Sequence, residues 1–173
     1  MDTDPGNAGG GYEIRELRGP DEAEAAAAIM AATDPWQRLG RTHAHTLRAV
    51  TDPAATPSVA VAPGGGDEVI GVVIVQDLLV FSGYIRALAV RADWRNRRVG
   101  RALLAHAERH IFRSSPNVFL CVSSFNEDAR RLYQRLGYET IGEIREFIIP
   151  GEGEFLMRKT RGPIATYRPD VDR

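Results

Sequence analysis

Residues 12–17, Tyr-Glu-Ile-Arg-Glu-Leu, alternate apolar and polar positions, which predicts a strand with one buried face. Gly19-Pro20 ends it. Asp21, with Glu24 three residues on, predicts a capped helix running through Ala32, and the many alanines there favour that state. A second helix is predicted from Asp34-Pro35, with aspartate as N-cap and proline in the first turn. Trp36, Leu39, His43, Leu47 and Val50 recur at helical spacing and make one face largely apolar. Thr51-Asp-Pro and Thr56-Pro57 break that pattern. A short strand at 58–62, the turn Pro63-Gly-Gly-Gly-Asp67 and a long strand at 68–80 follow. The glycines join two apolar runs, so they read as a hairpin rather than a phosphate loop, which would open a helix. A turn at 81–83 leads into a strand at 84–90.

Beyond residue 90 the pattern becomes strand, helix, strand, helix. Residues 98–113 carry Val99, Leu103, Ala107 and Ile111 on one face. A strand is predicted at 118–123. The next helix, 126–136, has Asn126 as N-cap, Glu127 and Asp128 in its first turn, and Gly137 just past its end. Strands at 138–149 and 154–158 surround Pro150-Gly-Glu-Gly153. Residues 1–11 are acidic and glycine-rich with almost nothing to bury, which predicts a disordered tail. Residues 161–173 read as a second tail, leaving 12–160 as one domain. The order β-α-α-β-β-β-α-β-α-β-β predicts an α/β fold with one mixed sheet and helices on its faces.

Composition narrows the function. The 173 residues suit a single domain. Lys and Arg total 22 against 23 Asp and Glu, for a net charge of −1, which argues against a general nucleic-acid binder. Yet 21 of those cations are arginine, a planar fork suited to phosphate and carboxylate. The lone cysteine, Cys121, excludes an internal disulfide and a cysteine-based zinc site, and reads as a buried structural thiol. No run of 18 apolar residues indicates a membrane span. The start of the chain lacks the basic and apolar regions of a signal peptide, so a cytoplasmic protein is expected.

One segment concentrates the chemistry. An apolar strand ends at Val90 and a helix opens near Arg98. Between and just beyond them stand Arg91, Arg95, Arg97, Arg98 and Arg101 against one acid, Asp93. Helix starts favour acids, so five arginines at this end are costly unless an anion sits there, and a pyrophosphate fits best. Gly100 and Ala102 allow close backbone approach. The Walker pattern is absent, as is Gly-x-Gly-x-x-Gly.

The segment resembles the acetyl-CoA motif of the GNAT superfamily of N-acetyltransferases: Leu-x-Val, then Gln/Arg-x-x-Gly-x-Gly/Ala, then an apolar helix. Aligned on Leu88-Ala-Val90 and Gly100-Arg-Ala-Leu-Leu104, the loop reads Arg95-Asn-Arg-Arg98-Val-Gly100, with Arg98 in place of the first glycine. A literal match two residues on, Arg97-Arg-Val-Gly100-Arg-Ala102, breaks the strand-to-glycine spacing. Downstream, Asn126-Glu-Asp-Ala-Arg-Arg-Leu-Tyr133, with Gly137-Tyr138, resembles the family's next motif. The likeness spans roughly residues 12–160, the first half only in element order. It implies a mostly antiparallel mixed sheet, two splayed central parallel strands (84–90 and 118–123) and about four helices. It also implies acetyl-CoA as cosubstrate: Leu88, Ala89 and Val90 pairing with pantetheine, amides from Arg95, Asn96, Arg97, Arg98, Val99, Gly100, Arg101 and Ala102 holding pyrophosphate, and Asn126 reaching the cofactor. The activity implied is transfer of acetyl to a primary amine, of a small molecule or a protein N-terminus, by direct attack without a metal. Tyr133 is the implied general acid, returning a proton to the leaving thiolate.

A glutamate often stands on the first splayed strand in this family, where the chain has Arg86. Arginine stays protonated and cannot act as a base; holding an acidic substrate is one alternative role for it. His43, His45, Glu143 and Glu146 are weak base candidates, each with a structural reading beside it. Trp36 and the turn at 150–153 border the acceptor site by resemblance, or serve as a core anchor and a hairpin. Two other readings stay open: a GNAT-fold acyl-CoA sensor with little catalysis, and a nucleic-acid contact through 95–101, which lacks aromatic interleaving beyond Trp94. The sequence also allows a homodimer.

Overall fold

The computed structural model describes residues 11–64, 66–76 and 83–169. Its elements are β1 (Glu13–Glu16), α1 (Gly19–Ala31), α2 (His43–Val50), β2 (Ala55–Val61), β3 (Val69–Gln76), β4 (Tyr84–Val90), α3 (Val99–Phe112), β5 (Asn117–Ser123), α4 (Glu127–Arg135), β6 (Glu139–Ile144) and β7 (Glu154–Thr160). The seven strands make one sheet in the order β1-β2-β3-β4-β5-β7-β6. It is mixed: β4 and β5 run parallel, while β1–β2, β5–β7 and β6–β7 run antiparallel. The α/β class, the sheet type and the four α-helices match the sequence reading. Residues 77–82, which hold the predicted end of the long strand and most of the following turn, lie outside the described residues, as do residues 1–10 of the N-terminal segment.

The chain divides into two compact units, the first built from the described residues of Met1–Val75 and Ala87–Glu108. Ala23, Ala26, Ala27, Ile29 and Met30 of α1 form one buried cluster with Val59 and Val61 of β2, Val72 and Ile74 of β3, and Ala87 and Ala89 of β4. The alanine-rich face keeps that helix close to the strands. On β3, a Cβ at Gly71 would lie 2.9 Å from Leu103 Cδ1 of α3 and 3.1 Å from the Ala89 carbonyl, so only glycine admits α3 at that distance.

An ion pair ties α1 to β1. Arg15 donates from Nη2 to Glu22 Oε1 at 2.7 Å and from Nη1 to Oε2 at 3.0 Å, and both side chains are buried. Glu22 Oε2 also accepts from the Arg18 amide at 2.6 Å. Glu22 therefore caps the helix start, and Asp21 does not; the helix begins three residues earlier than predicted, with Arg18 as an N-cap whose side chain makes no cap bond. Breaking a buried pair by removing one partner costs about 3–5 kcal/mol. Glu22→Ala is expected to lower the unfolding free energy by about 3 kcal/mol, read from denaturant melts. The Arg15 guanidinium holds the Glu22 carboxyl below its ordinary value. A depressed carboxyl contributes stability above the unfolded-state pKa and loses it as pH falls through the folded one. Wild type should thus lose stability below about pH 4 more steeply than Glu22→Ala.

The second predicted helix is corrected. Residues 33–40 form successive turns, Gly40 sits at φ +65, and α2 starts only at His43. Asp34 caps no helix. Thr42 does, in a reciprocal box: its hydroxyl accepts from the His45 amide at 3.4 Å, and its amide donates to His45 Nδ1 at 3.1 Å. Helical spacing persisted across a break because turns also bury apolar residues, here Trp36 against the α1 cluster. Thr56-Pro57 lies inside β2 rather than before it. The Pro57 carbonyl accepts from the Leu17 amide at 3.1 Å, just past the end of β1, so the missing proline N–H faces the end of that ladder rather than its middle.

The second unit comprises Arg109–Arg173, as far as described, with Gly83–Arg86 from the start of β4. β5 pairs with β7 over seven residues, from Asn117 opposite Thr160 to Ser123 opposite Glu154. The parallel register with β4 comprises only Tyr84 opposite Phe119 and Ile85 opposite Leu120. Gly83, at φ +87, abuts Ile111, and a Cβ there would stand 2.7 Å from the Asn117 carbonyl. β6 ends at Ile144, five residues short of the predicted strand. The cause is Glu146, at φ +53, whose carboxylate accepts from the Gly151 amide at 3.0 and 3.1 Å and closes the hairpin. The described part of the predicted C-terminal tail is attached. The Arg161 amide donates to the Pro116 carbonyl at 2.8 Å, its guanidinium lies 4.1 Å from the Phe112 ring centroid, and the Tyr167 hydroxyl donates to the Phe112 carbonyl.

Candidate active site

In the first unit, the loop from β4 to α3 is shaped by two left-handed residues, Asn96 at φ +61 and Arg98 at φ +65. Arg98 thus adopts the conformation that glycine favours, at the position where the first alignment puts the family's glycine. A short 3-10 turn, Ala92–Trp94, precedes it. α3 returns its first amide from Ala102 to the Arg98 carbonyl at 3.0 Å. The amides of Val99, Gly100 and Arg101 belong to the helix start, where no carbonyl precedes them in the spiral. A Cβ at Gly100 would meet only Val90 Cγ2, at 3.5 Å. This is an anion-binding geometry: converging N–H groups, the positive end of the helix dipole, and exposed arginines around them.

The arginines divide into two sets. Arg91 is engaged, with Nη1 2.5 Å from Glu68 Oε1 and Nε 2.7 Å from Asp93 Oδ1, so it braces the loop on β3 and leaves the cluster of free cations. Arg95 folds back to the Val90 carbonyl and the Thr33 hydroxyl, each at 3.3 Å. Arg97 stacks over Trp94, 4.9 Å from the ring centroid. Arg97, Arg98 and Arg101 are exposed. These residues fit a polyphosphate, with Leu88, Ala89 and Val90 forming the strand end beside them.

In the second unit, Asn126 caps α4, its Oδ1 accepting from the Ala129 amide at 3.3 Å. The cap occupies the carbonyl and leaves the side-chain amide to donate. Tyr133 is part-buried on α4, its ring edge-on to Tyr138 with centroids 5.6 Å apart. Burial pushes its phenol up to about 12. The group therefore stays protonated through the neutral range, as a proton donor must.

Other sequence candidates take structural places. Trp36 packs on the α1 cluster. His45 belongs to the α2 cap, and His43 Nε2 lies 3.2 Å from Glu24 Oε2 on the surface. Glu146 closes the β6–β7 hairpin. The Glu143 carboxylate lies 2.9 Å from where a Cβ on Gly153 would be. Arg86 is exposed on β4, and its charge acts on the neighbouring Tyr84.

One group in this unit has no counterpart among the sequence candidates. Glu154 opens β7 opposite Ser123 and is 5% exposed. The Ser123 hydroxyl donates to Glu154 Oε1 at 2.5 Å. Two residues back on β5, Cys121 shares a hydrogen bond with the Tyr84 phenol, and the Glu154 charge acts on both. Burial raises all three groups above their ordinary values. Cys121 is only part-buried, not the fully buried thiol expected. A glutamate at the head of an apolar strand was visible in sequence, but its partners come from register alone.

The sequence profile of the acetyltransferase (GNAT) family matches residues 16–138. The chain belongs to the GNAT acetyltransferase family. This GNAT protein shares its fold with the ribosomal-protein-S18-alanine N-acetyltransferase of Escherichia coli, at TM-score 0.69 and 20% identity over 94% of this chain and 99% of that one. An aminoglycoside 6'-N-acetyltransferase complexed with coenzyme A gives TM-score 0.68 and 19% identity over 91% and 99%. The spermidine/spermine N-acetyltransferase of Vibrio cholerae gives 0.63 and 14% over 86% and 92%. No curated protein sequence matches the chain. As a GNAT acetyltransferase it uses acetyl-CoA as acyl donor, and the α3 entrance supplies groups that suit its phosphates. Among the described residues no cluster of three His, Cys, Asp or Glu could hold a metal, and no helix is long and apolar enough to cross a membrane.

Proposed function

We propose that the chain transfers acetyl from acetyl-CoA to a primary amine, of a small molecule or a protein N-terminus, by direct attack, with Tyr133 as general acid. The observation that carries this reading is the placement of Tyr133: a part-buried phenol on the helix that Asn126 opens, protonated at neutral pH as phenols are, with burial pushing its pKa further up. In the transfer, the amine nitrogen bonds to the thioester carbonyl carbon, the carbon–sulfur bond breaks, and the leaving thiolate takes a proton from a nearby donor. The amides and arginines of 95–102 hold the pyrophosphate, the backbone of Leu88–Val90 pairs with pantetheine, and the Asn126 amide donates to the cofactor. Exposed Arg86 suits an acceptor that carries a carboxylate near its amine.

Thermal melts with coenzyme A, acetyl-CoA and an oligonucleotide test the first half, and a screen of amines for thiol release tests the second. A ligand at ~100 times its dissociation constant adds about 2.7 kcal/mol, which raises the Tm of a chain this size by roughly 5 °C or more. Acetyl-CoA is expected to do this and the oligonucleotide is not. Stabilisation by acetyl-CoA with no turnover on any amine would move the reading to an acyl-CoA sensor. No response to either coenzyme would overturn it.

A further inference from the structure

Direct attack requires a neutral amine, and most primary amines arrive protonated at neutral pH. Arg86 cannot take that proton, His43 and His45 are held in surface and cap contacts, and Glu146 is tied to the hairpin. We infer that Glu154 is the proton acceptor for the acceptor amine, linked to it through the Ser123 hydroxyl on the face of the second unit where Tyr84 and Cys121 meet. This rests on the N-acetyltransferase reading above.

The argument begins with placement. Tyr84 stands opposite Phe119, Cys121 lies two residues beyond Phe119, Ser123 two beyond that, and Glu154 directly opposite Ser123. Side chains two apart on a strand share a face, so register sets four polar groups in a row across β4, β5 and β7. The row grades in exposure, from part-buried Tyr84 and Cys121 to Ser123 at 3% and Glu154 at 5%. Buried carboxylates are ordinarily paired with a cation, as Glu22 is with Arg15. Among the described residues one hydroxyl holds Glu154; Arg158 shares its strand face four residues on, opposite Phe119, and burial is the larger influence on the carboxyl.

The surrounding titratable groups do not compete. Tyr84 and Cys121 are both pushed upward and stay neutral near pH 7. Arg86 on β4 is permanently charged and exposed, and Glu143 on β6 lies against Gly153. Glu154 is therefore the buried carboxyl of this row, and burial raises its proton affinity above the ordinary value. A carboxyl tuned upward is matched to accepting an amine proton at working pH. Protons balance: the ammonium gives one through the serine hydroxyl to the carboxylate, nitrogen attacks the carbonyl carbon, and the carbon–sulfur bond breaks. The thiolate takes the Tyr133 proton, the second proton leaving nitrogen restores Tyr133, and the carboxyl releases its own to solvent.

Glu154→Gln keeps size and the acceptor oxygen for Ser123 while removing the titration. With an amine that wild type acetylates, kcat/KM at neutral pH is expected to fall ~10²-fold or more. The acidic limb of the pH profile should vanish, with activity returning at high pH as the amine deprotonates unaided, and the acetyl-CoA melting shift should persist. Ser123→Ala removes both the relay and the bond that lowers the Glu154 pKa, so kcat/KM at neutral pH should fall and the acidic limb should move up. This second variant decides the matter if Glu154→Gln does not fold. Carboxyl titration followed by NMR gives a readout without turnover: one glutamate midpoint raised above the ordinary range, absent from Glu154→Gln. An unchanged pH profile in either variant, or an ordinary midpoint for Glu154, would overturn the inference while leaving the acetyltransferase reading intact. A wild type that acetylates no amine would remove both.

Discussion

Tyr133→Phe is expected to lose at least ~10²-fold in turnover, the usual contribution of a positioned general acid, while keeping its melting temperature. The two parts of that expectation have separate causes. The ring's contact with Tyr138, edge-on at 5.6 Å between centroids, is made by carbon and survives in phenylalanine. Only the hydroxyl is removed, and burial keeps that hydroxyl protonated up to about 12. A thiolate leaving in a site without a donor must wait for solvent, so the loss should fall on kcat rather than on KM for acetyl-CoA. Thiol release under saturating acetyl-CoA measures it. The defect should also shrink for acyl donors whose thiol is more acidic, because a better leaving group needs less protonation. A fully active, normally stable variant would leave Tyr133 as a packing residue.

The second large effect concerns the α3 entrance. Replacing Arg97, Arg98 and Arg101 together by glutamine is expected to raise KM for acetyl-CoA by about 10²-fold, with kcat changed less than threefold. The three side chains are exposed, so each phosphate contact contributes only on the order of 1 kcal/mol after solvent screening, and three such losses reach two decades. The salt dependence discriminates. Wild type should lose affinity for acetyl-CoA as ionic strength rises, and the triple variant should lose much less of it. Arg91 is excluded from the set because Glu68 and Asp93 already hold it; its role is to fix the loop. A triple variant with an unchanged KM and an unchanged salt response would remove the cofactor's phosphates from this helix start.

The sequence reading of local structure held where the physics is local. Asn126 caps α4 because a short polar acceptor, two acids in the next turn and Gly137 past the end act over a few residues. The α3 entrance was legible for the same reason: an arginine cluster against a helix start is costly unless an anion meets it. Local reasoning failed where two signals overlapped. Asp34-Pro35 has the form of a helix start, yet Gly40 and the Thr42–His45 box place that start eight residues later. Asp21 has the form of a cap, yet Glu22 takes the role because Arg15, from a neighbouring strand, fixes its carboxylate over the Arg18 amide.

Sequence alone determined the order of strands and helices, the arginine-rich start of α3, the Asn126 cap of α4 and the family resemblance, since each depends on residues within a few positions of one another. Tertiary structure decided what depends on register. It turned Arg91 from a ligand candidate into a brace, gave Arg98 a backbone conformation that its side chain does not advertise, and set part-buried Trp36 against the α1 cluster. It also put Glu154 beside Ser123, 31 residues away. A carboxyl's proton affinity follows from its neighbours and from the water it loses, and both are set when strands pair.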